Sequence, residues 1–118
     1  MNNQIEMNLD EILEASPLLR QPPSGALSNQ EKFLQFHELN PWVYVALVAL
    51  TRSKTRQGYC VSIQWMVEEL RYTYKRQTVD PNSNFRMAAH YASRYARLIM
   101  AQEPDLEGVF RLALIEVA

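Results

Sequence analysis

A chain of 118 residues with 47% hydrophobic side chains has material for one compact core and too little for two. Its longest apolar run, residues 42–50, falls short of the ~18 residues of a membrane span, and its start carries no basic-then-apolar leader, so a cytoplasmic protein without membrane contact is expected. The formal net charge of −1 hides a segregation: residues 1–40 carry two basic and six acidic side chains, residues 41–100 nine basic and three acidic, and residues 101–118 one basic and four acidic. A basic centre of this kind attracts an anionic partner through its local field even when the whole molecule is nearly neutral.

The amino-terminal segment holds one short amphipathic stripe, Ile5, Leu9, Ile12 and Leu13, cut off by Ser16-Pro17 and by Gln21-Pro22-Pro23-Ser24-Gly25. Prolines and a glycine at that density read as a linker, so residues 1–27 are expected to be a flexible acidic tail and linker, with the domain spanning 28–118. Ser28-Asn29-Gln30-Glu31 has the spacing of a capping box and predicts a helix through Leu39 with Phe33, Leu34, Phe36 and His37 on its apolar side. Asn40-Pro41 predicts the next start, with Asn40 as cap and Pro41 at the first helical position. The helix that follows, to about Arg56, is apolar on nearly every face and is placed at the centre of the core, with Gly58 in left-handed backbone beyond its end.

After the short extended piece Tyr59-Cys60-Val61, Ser62 is expected to cap a helix to about Lys75. Ile63, Met66, Val67, Leu70 and Tyr74 face inward there, and Gln64, Glu68, Arg71 and Lys75 outward. Residues 76–83 read as a polar turn into a helix over 84–102, which Glu103-Pro104 stops. Ala88, Tyr91, Ala92, Tyr95, Leu98 and Ile99 make its buried stripe, and Arg86, His90, Ser93, Arg94 and Arg97 its outer, cationic face. Residues 109–117 suit a strand.

Catalytic patterns find little support. Neither His37 nor His90 has an acidic residue four positions away, Glu68 and Glu69 project roughly 100° apart on a helix, and Ser62 and Ser93 lack a nucleophile-elbow context. Three glycines form no phosphate-cradling loop, and the single cysteine, Cys60, has no CxxC or histidine partner and reads as a buried thiol. The expectation is a protein with no enzymatic activity, no metal and no cofactor. Trp42, Trp65, Tyr74, Tyr91 and Tyr95 fall on apolar faces and read as core, whereas Tyr72 is placed partly outside.

The order helix, short extended piece, two helices and terminal strand is that of a mainly α, winged-helix-like helix-turn-helix domain with a short C-terminal β element. In that fold residues 84–102 would enter the major groove. Arg94 and Arg97 would meet guanine edges or phosphates, His90 and Ser93 would hydrogen-bond to either, and Arg52, Lys54, Arg56 and Arg86 would hold the backbone. The linker of residues 76–83 is longer than the usual turn of such motifs, and no second wing strand follows Val117.

Three segments, Phe36-His37-Glu38-Leu39-Asn40-Pro41-Trp42-Val43-Tyr44, Glu69-Leu70-Arg71-Tyr72 and residues 93–106 with their Ser-Arg-Tyr-Ala-Arg-Leu-Ile-Met block, resemble a small family of uncharacterised bacteriophage and prophage proteins. The resemblance covers residues 33–112 and implies a viral or mobile-element setting without an established activity. Members often carry consecutive asparagines just before the last block, where this chain has Ala88-Ala89-His90. Two functions are weighed: a phage-type DNA-binding or regulatory protein using the basic helix, and an accessory protein or inhibitor that docks on a host or viral protein through residues 1–25 or a helical face.

Overall fold

A computed structural model describes residues 8–15, 19–23, 25, 27–77 and 85–110. Its helices are α1 (Leu9–Ala15), α2 (Asn29–Leu39), α3 (Pro41–Arg56), α4 (Ile63–Gln77) and α5 (Ala89–Gln102), followed by a 3-10 turn over Pro104–Leu106. The apolar run of α3 does what its composition requires and passes through the middle: Val43, Ala46 and Leu47 are fully buried, and α1, α2, α4 and α5 all pack against it. Thr51, which follows this run, is buried too and is satisfied locally, its Oγ1 donating to the Leu47 carbonyl at 2.7 Å.

The helix ends follow local chemistry. Glu31 N–H donates to Ser28 Oγ at 3.1 Å and Ser28 N–H to Glu31 Oε1 at 2.9 Å, completing the predicted capping box. That geometry, backbone hydrogen bond first, holds the Glu31 carboxyl below its ordinary range. At the end of α3 the amides of Gly58 and Tyr59 return to the carbonyls of Thr55 and Lys54, both at 3.0 Å, with Gly58 at φ +92°. The predicted left-handed exit is thus a Schellman motif. Ser62 Oγ accepts from Trp65 N–H at 3.1 Å, and the predicted inward set of α4 is buried without exception.

Four expectations are corrected. Among the described residues there is no strand; residues 107–110 form a turn with Phe110 buried, and the remainder of the predicted strand, residues 111–117, lies outside the described residues. A wing is therefore not part of the described fold. The last helix begins at Ala89, not at residue 84, because Phe85 is drawn into a ring cluster with Trp42 and Tyr74 (centroids 6.4 and 5.4 Å away) and Gln21 Nε2 takes the Arg86 carbonyl at 2.9 Å. Cys60 is exposed: the chain swings outward at Gly58, and the inward place is taken by Val61 and Ile63.

The fourth correction concerns Asn40, whose side chain makes no cap hydrogen bond to α3. It is fully buried and reaches across to the amino-terminal segment, accepting from Arg20 N–H at 2.8 Å while its Nδ2 donates to the carbonyls of Arg20 and Phe36 at 2.7 and 3.0 Å. Leu19 N–H donates in the same way to Tyr74 Oη at 3.2 Å. Leu19, Arg20 and the helix α1 are consequently joined to the domain. Helix α1 starts with a second reciprocal box, Asn8 with Glu11, and lays Ile12 and Leu13 into the common core. A seven-residue helix is marginal alone, so packing against α3 and α4 is what stabilises it.

Candidate functional site

The inner face of α5 is Tyr91, Ala92, Tyr95, Ala96 and Ile99, all buried. Of the predicted stripe, Leu98 is only partly buried and Ala88 is exposed at the uncapped start of the helix, while Ala96 joins the core. Tyr91 and Tyr95 meet Phe33 and Phe36 of α2 in a network of ring contacts with centroids 4.8 to 6.4 Å apart. His37 packs in the same network, 5.7 Å from Tyr95 and 5.6 Å from Tyr44, and burial pushes its imidazole below the ordinary value. The ring packing fixes how α5 is rotated, and so which residues remain outside.

Those outside are His90, Ser93, Arg94 and Arg97, as the spacing predicted: Arg97 is exposed and the other three are partly so. Ser93 Oγ donates to the His90 carbonyl at 3.3 Å. Arg94 is held between two helices, with Nε donating to Gln30 Oε1 on α2 at 3.0 Å and Nη1 lying 3.3 Å from the His90 carbonyl and 3.4 Å from His90 Nδ1. The start of α2 is therefore beside the start of α5, and Tyr91 Oη donating to the Lys32 carbonyl at 3.4 Å repeats that adjacency. The backbone of Lys32 is thereby beside α5, and its charge acts on His90. Burial first, then the charges of Arg94 and Lys32, push the His90 imidazole below its ordinary value.

No carboxylate is ion-paired with Lys32, Arg94 or Arg97 among the described residues. Glu31, next to Lys32 in sequence, is turned back into the Ser28 capping box. His90 and Arg94, with the charge of Lys32 acting on His90, share a partly exposed surface at the start of α5, the positive end of that helix. Such a surface offers charge-assisted hydrogen bonds to an oxyanion. Lys32 escaped the sequence reading because 59 residues separate the elements that meet here, and no local spacing signals it.

The other predicted phosphate contacts lie elsewhere. Arg52 donates from Nε and Nη2 to both Asp105 oxygens at 2.8 and 2.9 Å and from Nη2 to Glu103 Oε1 at 2.7 Å, while Glu103 Oε2 accepts from Tyr44 Oη at 2.8 Å. These bonds, Asp105 foremost, raise the guanidinium further above its ordinary value and lower the Asp105 carboxyl. Burial, reinforced by Glu103, raises the Tyr44 phenol. Arg52 thus joins α3 to the stop of α5, and its charge is already answered. Lys54 Nζ sits 5.7 and 5.5 Å from the ring centroids of Tyr59 and Trp65, a cation–π arrangement with Tyr59 half exposed. Arg56 is exposed at the end of α3, and Arg86 is exposed in the segment leading to α5.

Tyr72 is exposed, as expected, beneath the Arg76 guanidinium. Among the described residues no group of three or more His, Cys, Asp or Glu side chains gathers to hold a metal, and no helix is long and apolar enough to cross a membrane. No protein-family model, curated protein or solved structure matches this chain.

Proposed function

We propose that this chain is a small phage-type DNA-binding or regulatory protein whose outer α5 face meets a phosphate backbone. The observation that carries the reading is the meeting of His90 and Arg94, with the charge of Lys32, at the uncapped start of α5 without a carboxylate counterion among the described residues, with Arg97 exposed one turn further on. Ordinary solvated helices surround their cations with acids at three- and four-residue spacing, as Arg71 does here with Glu68 at 2.6 Å; α5 has none. In this reading α3, α4 and α5 are the helices of a winged-helix-like domain and α5 is the recognition helix. Arg94 and Arg97 make the phosphate or base contacts, Ser93 and Arg86 flank them, and Lys54 and Arg56 reach more distant phosphates. Arg52 drops from the phosphate-binding set into a structural role.

The rival reading, docking on a host or viral protein through the amino-terminal stripe, is weakened by the burial of Ile12 and Leu13 in this chain's own core. Binding of a fluorescent duplex across a salt series tests the proposal. Affinity should fall steeply with salt, and Arg97→Ala should weaken binding to all sequences and lower the salt slope by about one if Arg97 holds a phosphate, with folding intact. Wild-type protein that shows no salt-dependent binding at low ionic strength overturns the proposal.

A further inference from the structure

His90 is the one member of the cationic group whose charge depends on conditions near neutrality. Its ring stands edge-on to Tyr91, with centroids 4.7 Å apart and planes at 81°, and its Nδ1 faces Arg94 Nη1. Only a neutral imidazole has a lone pair to offer that N–H; a protonated ring would set two cations against each other. The groups that face it are Arg94 and Tyr91 from α5 and Lys32, with Gln30 behind Arg94, from α2. Burial, and then the charges of Arg94 and Lys32, favour the neutral ring, and an anion set beside these cations works in the opposite direction.

We propose that Lys32, His90 and Arg94 form a cradle for one phosphate group, and that His90 takes up a proton from solvent as the phosphate seats. The inference rests on the reading of α5 as the phosphate-facing helix. Arg94 Nη1 then donates to a phosphate oxygen instead of to Nδ1, the newly protonated Nδ1 donates to the same anion, and Lys32 supplies a point charge from α2. Gln30 keeps Arg94 Nε in place throughout. Proton uptake on binding makes the complex tighter as the pH falls.

The chain has two histidines, so imidazole NMR resolves both, and a His90→Gln variant assigns them. The ring of His90 is titrated at constant ionic strength in the free protein, with a short DNA duplex and with inorganic pyrophosphate. With either anion its midpoint should move to higher pH by about one unit or more, while the midpoint of His37 stays. Duplex affinity should rise up to roughly tenfold between about pH 7.5 and about pH 5.5, and His90→Gln should abolish that rise while still binding at the higher pH. An unmoved His90 in the presence of bound duplex overturns the cradle and leaves the DNA-binding reading standing. A His90 moved by pyrophosphate in a protein that binds no duplex supports the cradle and overturns the DNA-binding reading. Binding of neither anion overturns both.

Discussion

Asn40 holds the backbone of Arg20 from both sides, its amide oxygen accepting the Arg20 N–H and its amide nitrogen donating to the Arg20 carbonyl. A side chain so placed imitates a neighbouring strand for one residue, and it does so fully buried. Replacing it leaves the Arg20 N–H and carbonyl without their partner, while the Phe36 carbonyl keeps the Asn40 backbone N–H at 3.0 Å. Asn40→Ala should therefore cost on the order of 1–3 kcal/mol in urea unfolding and increase protease cleavage between residues 16 and 27. Asn40→Asp should be at least as damaging, since it removes the donor and buries a charge.

Arg52 joins α3 to the stop of α5 through Asp105 and Glu103. The pair with Asp105 is partly in solvent, so Arg52→Ala should cost about 1 kcal/mol and no more than roughly 2. Arg52→Lys should recover little of it, because an ammonium cannot form the two-pronged bond. The Asp105 carboxyl titrates below its ordinary value in the folded chain, so its contribution is present above about pH 4 and is lost as the pH falls through the folded value. Thermal unfolding of the wild type and Arg52→Ala should converge toward acid.

His37, lowered by burial, gives a pH dependence of the same sign in the histidine range. The unfolded chain binds the proton more readily than the folded one, so stability is greatest where both forms are neutral. It should fall as the pH drops below the ordinary histidine range near 6.5 and continue to fall until the folded imidazole is itself protonated. His90, lowered by burial, Arg94 and Lys32, adds a slope of the same sign. Melting curves of wild type and His37→Phe between about pH 5 and about pH 8 check this, with the variant expected to show the flatter profile.

Tyr95 is fully buried, and its hydroxyl makes no hydrogen bond among the described residues. Its ring, by contrast, packs edge-on to Phe33 at 4.8 Å. Tyr95→Phe keeps the packing and removes the unsatisfied group, so stability should be unchanged or raised by up to about 1 kcal/mol. Tyr95→Ala should cost about 3–5 kcal/mol. A Phe variant destabilised as much as the Ala variant would show that the hydroxyl has a partner essential to the core.

Leu47 lies at the middle of α3, fully buried. Leu47→Ala should cost on the order of 2–5 kcal/mol in urea unfolding, the range for a leucine cavity in a close-packed interior.

Helix existence, helix ends and inward faces were legible in this sequence wherever the deciding interactions span a few residues. Ser28 with Glu31, Pro41, Gly58 and Ser62 each act within five positions, and the alternation of apolar and polar residues along α4 is enough to assign its faces. The outer face of α5 follows from the same periodicity. What periodicity cannot reach is the partner of a side chain that crosses the fold. Asn40 could cap its own helix, yet it binds Arg20, 20 residues earlier; Arg52 looks free, yet it meets Asp105, 53 residues later; Arg94 is met by Gln30, 64 residues earlier. Each choice depends on how helices come together when the rings of Phe33, Phe36, Tyr91 and Tyr95 pack, a cooperative arrangement that no local spacing encodes. The sequence determined which residues lie on the outside of α5, and only the tertiary structure decided that Lys32 stands beside them, because a local pattern sets the rotation of a helix and packing sets its neighbours.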